Sequence, residues 1–357
     1  MQKKEMNMHK YDYSFLKDFK ITSKLIGLSN VIAESNYKVN VQEKENPVVF
    51  LKLHKKAIID SAVSSNRIEG IETSEKRNRD LLENNDKPLN HSEEEISGYK
   101  DAIVFISDHY EEIEINEDTI KYLHSMLMYY SSKSKGQYKK TDNEITARYE
   151  NGNSEVIFQP VKSNETDKHM KQFINAYNRA KNDNEINQLL LIPCFIVDFL
   201  AIHPFFDGNG RISRLLTLLL LYKEGYRVGK YISYEKMIEQ YKWNYYQELN
   251  FSQTGWHDNE NDYSPFIVFH FQMLYRCYKE ISERFISEET DRKISKRDRI
   301  ENTVMKSVVP ISKTEIADVL PDISVTTIEK VLGELIKKNK IRKIGTYKNA
   351  KYVKSQS

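Results

Sequence analysis

The sequence is short of cysteine, proline and membrane-length apolar runs. Its 357 residues include 2 cysteines, 8 prolines and 12 glycines. Cys194 and Cys277 both fall in apolar or aromatic helical pattern, so they read as buried reduced thiols and not as a disulfide framework. No Cys/His spacing suits zinc. The longest apolar stretch, Leu189 to Ile202, contains Pro193 and Asp198 and is too short to cross a bilayer. The opening M-Q-K-K-E-M-N-M-H-K-Y holds no apolar signal-peptide core, so a cytoplasmic location and no membrane partner are expected. Internal repeats and low-complexity tracts are absent. Charge of one sign is lacking too: the formal net charge is +2. It is unevenly spread, however. Asp291 to Ser357 carries 16 Lys+Arg against 8 Asp+Glu, a surplus of +8, which leaves −6 on the remainder.

What is present is a soluble, globular composition, 39% hydrophobic and 30% charged, with length enough for a large core and two domains. Helical periodicity dominates. Residues 11 to 45 carry spaced apolar residues (Phe15, Leu16, Phe19, Leu25, Leu28, Ile32) and predict one or two helices. After Pro47 a second pattern runs from Val48 through Leu51, Ala57, Ile58, Ala62 and Val63. It ends in S-S-N-R-I-E-G-I, with Gly70 as a natural stop. Residues 73 to 84 and 92 to 110 predict helices, the latter opened by a capping box at Ser92 and Glu95. Asn116 to Ser131 and Thr166 to Arg179 follow. Between them, residues 133 to 160 are punctuated by Gly136 and Asn151-Gly152-Asn153, which predicts a lone β-hairpin. Tyr231, Tyr234, Tyr241, Tyr245 and Tyr246 recur at helical spacing and read as a packed face. A purine-stacking surface, with Tyr241 as the adenine contact, is the alternative. Asp262 to Phe285 is a further amphipathic helix.

From about residue 291 the composition shifts. Two short helices separated by P-D-I-S, then a hairpin turning at Gly345 to Asn349, predict a winged helix-turn-helix whose second helix presents Thr326, Thr327 and Lys330. Such modules bind DNA or dock proteins.

The chemistry concentrates in residues 203 to 214, H-P-F-F-D-G-N-G-R-I-S-R, between two long apolar helical runs. His203 is a candidate general base. Asp207 is a hard oxygen ligand suited to Mg²⁺. Gly208, Asn209 and Gly210 let backbone N–H groups approach an anion at the start of the second helix, whose dipole favours the same charge. Arg211 and Arg214 supply positive charge, the latter in a geometry suited to a bidentate pair. Phe205 reads as an apolar anchor for the loop. His9, His54, His91, His109, His124, His169, His257 and His270 read as structural.

This stretch resembles the Fic family signature, H-P-F-x-[D/E]-G-N-G-R-x-x-R, at every defined position. S-S-N-R-I-E-G resembles that family's inhibitory-helix motif, [S/T]-x-x-x-E-[G/N], at Ser65, Glu69 and Gly70. The predicted hairpin stands where the family places a flap. The resemblance covers roughly residues 15 to 285, with a winged-helix tail as some members carry. It implies a mainly α fold: a Fic-type helical bundle with a β-hairpin flap, then a small winged-helix (α+β) domain. The implied division is a helical region at 1–110, holding an inhibitory helix at about 48–70, a catalytic core at 111–288 and a winged-helix domain at 291–357.

The resemblance further implies a protein adenylyltransferase that moves AMP from ATP to a Ser, Thr or Tyr hydroxyl with Mg²⁺, or Mn²⁺ in its place. His203 would take the hydroxyl proton. Asp207 would hold the metal, and Gly208, Asn209, Gly210 and Arg211 would stabilise the α-phosphate. Arg214 would meet the γ-phosphate. Glu69 would pair with Arg214 and block productive ATP binding, its carboxylate oriented by the Ser65 hydroxyl one turn away. The implied partners are a target protein, the chain itself by auto-AMPylation, DNA through residues 291–357 and a second copy as a homodimer. Three further readings stand beside this one. Glu69 could instead position water for de-AMPylation. Phosphoryl transfer is the chemistry of the Doc-like branch, which carries lysine where this chain has Gly210. The last is a DNA-binding regulator whose Fic-like core senses a nucleotide.

Overall fold

Most helix starts are fixed by a side chain that accepts one of the N–H groups a helix leaves unpaired. The structure, a computed structural model, describes residues 9–148, 154–293, 295–307, 309–345 and 350–355. Its elements are α1 (Ser23–Glu45), α2 (Pro47–Ile68), α3 (Glu75–Leu82), α4 (His91–His109), α5 (Glu117–Leu127), β1 (Ile145–Arg148), β2 (Ser154–Phe158), α6 (Thr166–Lys181), α7 (Gln188–Ile202), α8 (Asn209–Lys223), α9 (Tyr234–Gln240), α10 (Lys242–Gln253) and α11 (Ser264–Lys293), then α12 (Lys296–Lys306), β3 (Ile311–Ser312), α13 (Lys313–Val319), α14 (Val325–Lys337), β4 (Ile341–Ile344) and β5 (Lys351–Lys354). Thr22, Ser74, Asn90, Asn116, Asn187 and Ser233 cap α1, α3, α4, α5, α7 and α9. The fold is mainly helical with small antiparallel sheets.

The start of α4 differs from expectation. Asn90 accepts from the Glu93 N–H at 3.0 Å, so the helix begins at His91 and no capping box forms at Ser92 and Glu95. Glu95 is buried instead. A capping box does form at Ser312 and Glu315, opening α13.

The chain divides into two compact units, Met1–Ile281 and Ser282–Ser357. In the first, α7 and α8 form the centre. Every residue of α7 after Gln188 is buried, as are Asn209 and Arg211 to Tyr222 of α8. A helix apolar on all faces is stable only when surrounded, and each fully buried Leu, Ile or Phe contributes roughly 1.5–3 kcal/mol. The packing neighbours are α6 on α7, α4 and α5 on α8, and α2 on α4 and α9. Gly98 permits the α4–α5 approach, because a Cβ there would overlap the Leu127 carbonyl. Asp198, the one charge in α7, accepts from Tyr13 Oη at 2.7 Å, Trp256 Nε1 at 2.8 Å and Tyr263 Oη at 2.8 Å. This carboxylate therefore ties the N-terminal segment and the start of α11 to the core.

β1 and β2 pair antiparallel, with Ile145 opposite Phe158 and Thr146 opposite Val156 and a register irregularity between Ile145 and Thr146. The predicted Asn151-Gly152-Asn153 turn lies outside the described residues. The second unit has its own core, including Ile300, Val304, Ile316, Ile328, Leu332, Leu335 and Ile341. Its three strands are ordered β3-β5-β4, all antiparallel. Gly345, where the second hairpin was expected to turn, has φ +79°, and residues 346–349 lie outside the described residues. Among the described residues, no helix is long and apolar enough to cross a membrane.

Candidate active site

The loop from His203 to Gly208 joins the buried ends of α7 and α8, so its backbone has no room to relax. His203 closes α7 in the left-handed region, at φ 51° and ψ 60°. Gly208 opens α8 at φ 82°. A non-glycine residue at positive φ is strained and persists only where its surroundings hold it. Here they do. Phe205 is fully buried and stacks on His124, ring centroids 3.8 Å apart. His124 Nε2 lies 3.1 Å from the Asp207 carbonyl, and its Nδ1 accepts from the Gly136 N–H at 2.9 Å. The ring is therefore neutral with the proton on Nε2. Burial pushes its pKa down to about 4.

Asn209 serves this loop. Its Oδ1 accepts from the Phe205 N–H at 2.9 Å and its Nδ2 donates to the Phe205 carbonyl at 2.7 Å. That is a different job from the phosphate contact expected of it: the amide is spent on backbone.

His203 Nδ1 lies 3.3 Å from the Leu200 carbonyl. With the proton on Nδ1, Nε2 is left as an acceptor. Burial pushes the imidazole down to about 4, with Lys139 pushing the same way. His203 is thus an unprotonated base at neutral pH.

Asp207 is half-buried. Its Oδ1 accepts from the Gly208 N–H at 2.6 Å and from Arg211 at 3.3 Å, and its Oδ2 accepts from Lys133 Nζ at 2.5 Å. Burial raises its pKa, but Lys133 and Arg211 outweigh that and hold it below the usual range. Among the described residues, no group of three or more His, Cys, Asp or Glu could hold a metal ion. A single carboxylate suits Mg²⁺, which keeps waters and substrate oxygens in its shell.

Arg211 was expected to face phosphate. It is instead buried against Glu95, NH1 to Oε2 at 2.6 Å, with side chains 2% and 1% exposed. Lys133 also reaches Glu95, at 2.9 Å. The Ser92–Glu95 spacing points to a helix cap and so masks this pairing, which follows from the cap lying at Asn90.

Arg214 is buried at the next turn of α8. Its Nε donates to Ser65 Oγ at 2.8 Å, and NH2 donates to the Ser65 carbonyl at 2.9 Å and to Glu69 Oε1 at 2.6 Å. The expected pairing of Arg214 with Glu69 is therefore present in the geometry. The expected role of Ser65 is corrected: its hydroxyl holds the arginine, not the carboxylate. Burial opposes the charge of Arg214, yet Glu69 and the tyrosines around it leave its pKa raised. NH1 of Arg214 is buried and has no hydrogen-bond acceptor among the described residues. A Cβ on Gly210 would collide with Glu69 Oε1, so the carboxylate lies directly over the first turn of α8. That turn has no side-chain cap.

A cavity of about 880 Å³ opens over these groups, lined among others by Glu69, His203, Asp207, Gly210, Arg214 and Tyr246. Strand residues Ile145, Thr146, Ile157 and Phe158 line it as well. Tyr241 does not. It lines a separate pocket and lies under the Arg276 guanidinium, 4.2 Å from the ring centroid. Tyr241 ends α9, and the chain turns there, so α10 brings Trp243, Tyr245 and Tyr246 to the cavity in its place.

Residues 114–221 match the sequence model of the Fic/DOC family. The chain carries a Fic domain. A crystal structure of a Fic family protein from Desulfovibrio desulfuricans superposes with a TM-score of 0.62 at 19% identity, over 95% of this chain and 98% of that one. A Fic domain containing signaling protein from Bacteroides thetaiotaomicron gives 0.57 at 21% identity, over 69% and 94%. These likenesses speak for the fold. A Fido domain-containing protein of Dictyostelium discoideum is 32% identical over 60 residues, 17% of this chain and 42% of that protein's length. The Fic domain match takes in α5 to α8 and the His203 loop. Ser65, Glu69 and Glu95 stand outside it and reach the site only through packing of α2 and α4.

Proposed function

We propose that this chain transfers AMP from ATP to a hydroxyl of a protein, restrained by its own Glu69. One observation carries the reading: a buried guanidinium N–H of Arg214 that has no hydrogen-bond acceptor among the described residues, beside the N-terminus of α8, which has no side-chain cap, in the cavity that the neutral His203 also lines. An orphaned buried donor is costly, and together with the helix N-terminus it forms a site for phosphate. In the reaction, the hydroxyl oxygen bonds to the α-phosphorus and its proton passes to His203 Nε2. The bond from the α-phosphorus to the bridging oxygen breaks and pyrophosphate leaves. Backbone N–H groups of Asn209, Gly210 and Arg211 would stabilise the charge on the α-phosphate. Asp207 is the residue that would hold a Mg²⁺, whose part is to neutralise phosphate charge; Lys133 must then release that carboxylate. Trp243 and Tyr246 replace Tyr241 as candidates for the base. Gly210 leaves no lysine where the phosphoryl-transfer branch has one, so AMP is the group assigned to transfer. Mass spectrometry of Glu69→Gly after incubation with ATP and Mg²⁺ tests this. A gain of AMP on the chain supports it, whereas a gain of phosphate or no adduct overturns it.

The second unit supports a separate proposal, a winged helix-turn-helix that binds duplex DNA. Its helices α12 to α14 precede the β4–β5 pair, and α14 exposes Val325, Thr326 and Lys330. Arg342, Lys343 and Lys351 are exposed on the strands. Binding that weakens steeply with added salt supports it, and salt-independent or absent binding removes it.

A further inference from the structure

Residues 139–143 reach the His203 loop from the base of the hairpin. Lys139 is 4% exposed, an unusual burial for lysine. Its Nζ donates to the Ile202 carbonyl at 3.2 Å and to Asn143 Oδ1 at 2.8 Å. Its backbone N–H donates to the Pro204 carbonyl at 2.8 Å. Asn143 Nδ2 in turn donates to the Phe205 carbonyl at 3.4 Å. The carbonyls at 202, 204 and 205, flanking His203 on both sides, are therefore all held from one short segment. That segment leads directly into β1. His203 stands in the strained left-handed conformation, which needs such a hold.

We propose that Lys139 is a positioning residue for His203: its buried ammonium clamps the Ile202 carbonyl and fixes the imidazole for proton transfer. The assignment deepens the transfer reading and rests on it for the rate, but not for the state of the ring. Among the described residues, three charged groups act on His203: Lys139 from the segment before the hairpin, Glu69 from the end of α2 and Asp207 from its own loop. Of these, Lys139 alone opposes protonation. Burial brings Lys139 itself down to about 8, so it remains charged where His203 titrates. The clamp thus does two things at once. It fixes the turn geometrically, which is the part that serves proton transfer, and its charge disfavours the imidazolium, which is the part the titration reads.

Lys139→Met keeps the length and removes the charge and both side-chain hydrogen bonds. The test is ¹³Cε1-histidine NMR on the full chain without nucleotide, with the His203 signal assigned by its loss in His203→Gln. The His203 titration is expected to move up by about one pH unit in Lys139→Met and to stay near the wild-type value in Lys139→Arg. In a Glu69→Gly background, kcat for AMP transfer should fall about tenfold or more in Lys139→Met, with KM for ATP within about twofold. Asn143→Ala, which keeps the charge but removes the Phe205 tie, should lower kcat about threefold or more and leave the titration within about 0.3 unit. This second variant serves if Lys139→Met does not fold. An unmoved His203 titration in folded Lys139→Met, or unchanged kcat in Asn143→Ala, overturns the assignment. A moved titration in a chain that transfers no nucleotide upholds the charge coupling and overturns the transfer reading instead.

Discussion

Glu69 and Arg214 form the contact on which the proposed restraint turns. The carboxylate is partly exposed while the arginine is buried, so removing Glu69 strands the guanidinium charge and leaves it available to an anion. Glu69→Gly is expected to raise labelled-AMP incorporation by at least tenfold in a filter or gel assay, and a rate equal to wild type would contradict the restraint. His203→Ala in that background should abolish incorporation while the ATP-induced rise in Tm persists, because the residue acts on the proton and not on phosphate. Ser65 is a different case. It holds Arg214 through both hydroxyl and carbonyl, and Ser65→Ala leaves Nε buried without a partner. Thermal unfolding should report a loss of about 1–3 kcal/mol.

At the scale of elements, α4 matters as much as α8. Glu95 of α4 meets Arg211 of α8 with both side chains buried. Breaking a buried pair from one side strands the other charge, so Glu95→Ala should cost about 3–5 kcal/mol. In a unit of this size that is a Tm lower by roughly 10 °C in calorimetry. The pair was not legible in the sequence. Arg211 sits in a motif that points to phosphate, and Glu95 sits three residues after a serine, a pattern that points to a cap. Only the actual cap at Asn90 moves Glu95 inward. The existence of α2, α5, α7 and α8 was legible, because apolar spacing acts locally, as do Pro47, Asn116 and Asn187 at the starts of α2, α5 and α7 and Gly208 at the start of α8. The displacement of Tyr241 was not legible, since it depends on where α9 stops.

For the molecule as a whole, several histidines are buried and neutral. Burial pushes His124, His169 and His203 to about 4 and His270 to about 3, from an ordinary value of 6.5. Between pH 6.5 and 4 the unfolded chain binds protons that the folded chain refuses, so stability rises with pH across that window and falls on acidification. Tm should be several degrees lower at pH 5 than at pH 7, with little change between pH 7 and 8. Glu93 adds a separate loss at lower pH. Its bond from Arg77 holds it at about 2, a stabilisation present above its ordinary value of 4.5 and lost as the pH falls toward 2.

By itself the sequence determined the helical class and the position of the His203–Gly208 loop between two apolar helices. It also singled out His203 and Glu69, which the fold brings to one cavity. These follow from local periodicity and from side-chain chemistry at short spacing. Tertiary structure alone decided which partner each polar group received. It gave Arg211 to Glu95, Asn209 to the backbone of Phe205 and Ser65 to Arg214, and it put Lys139 on the carbonyl that precedes the histidine. The physical reason is burial. A charged or polar group in a packed interior must be matched by whatever the neighbouring helices bring within 3 Å or so, and those neighbours lie far away along the chain.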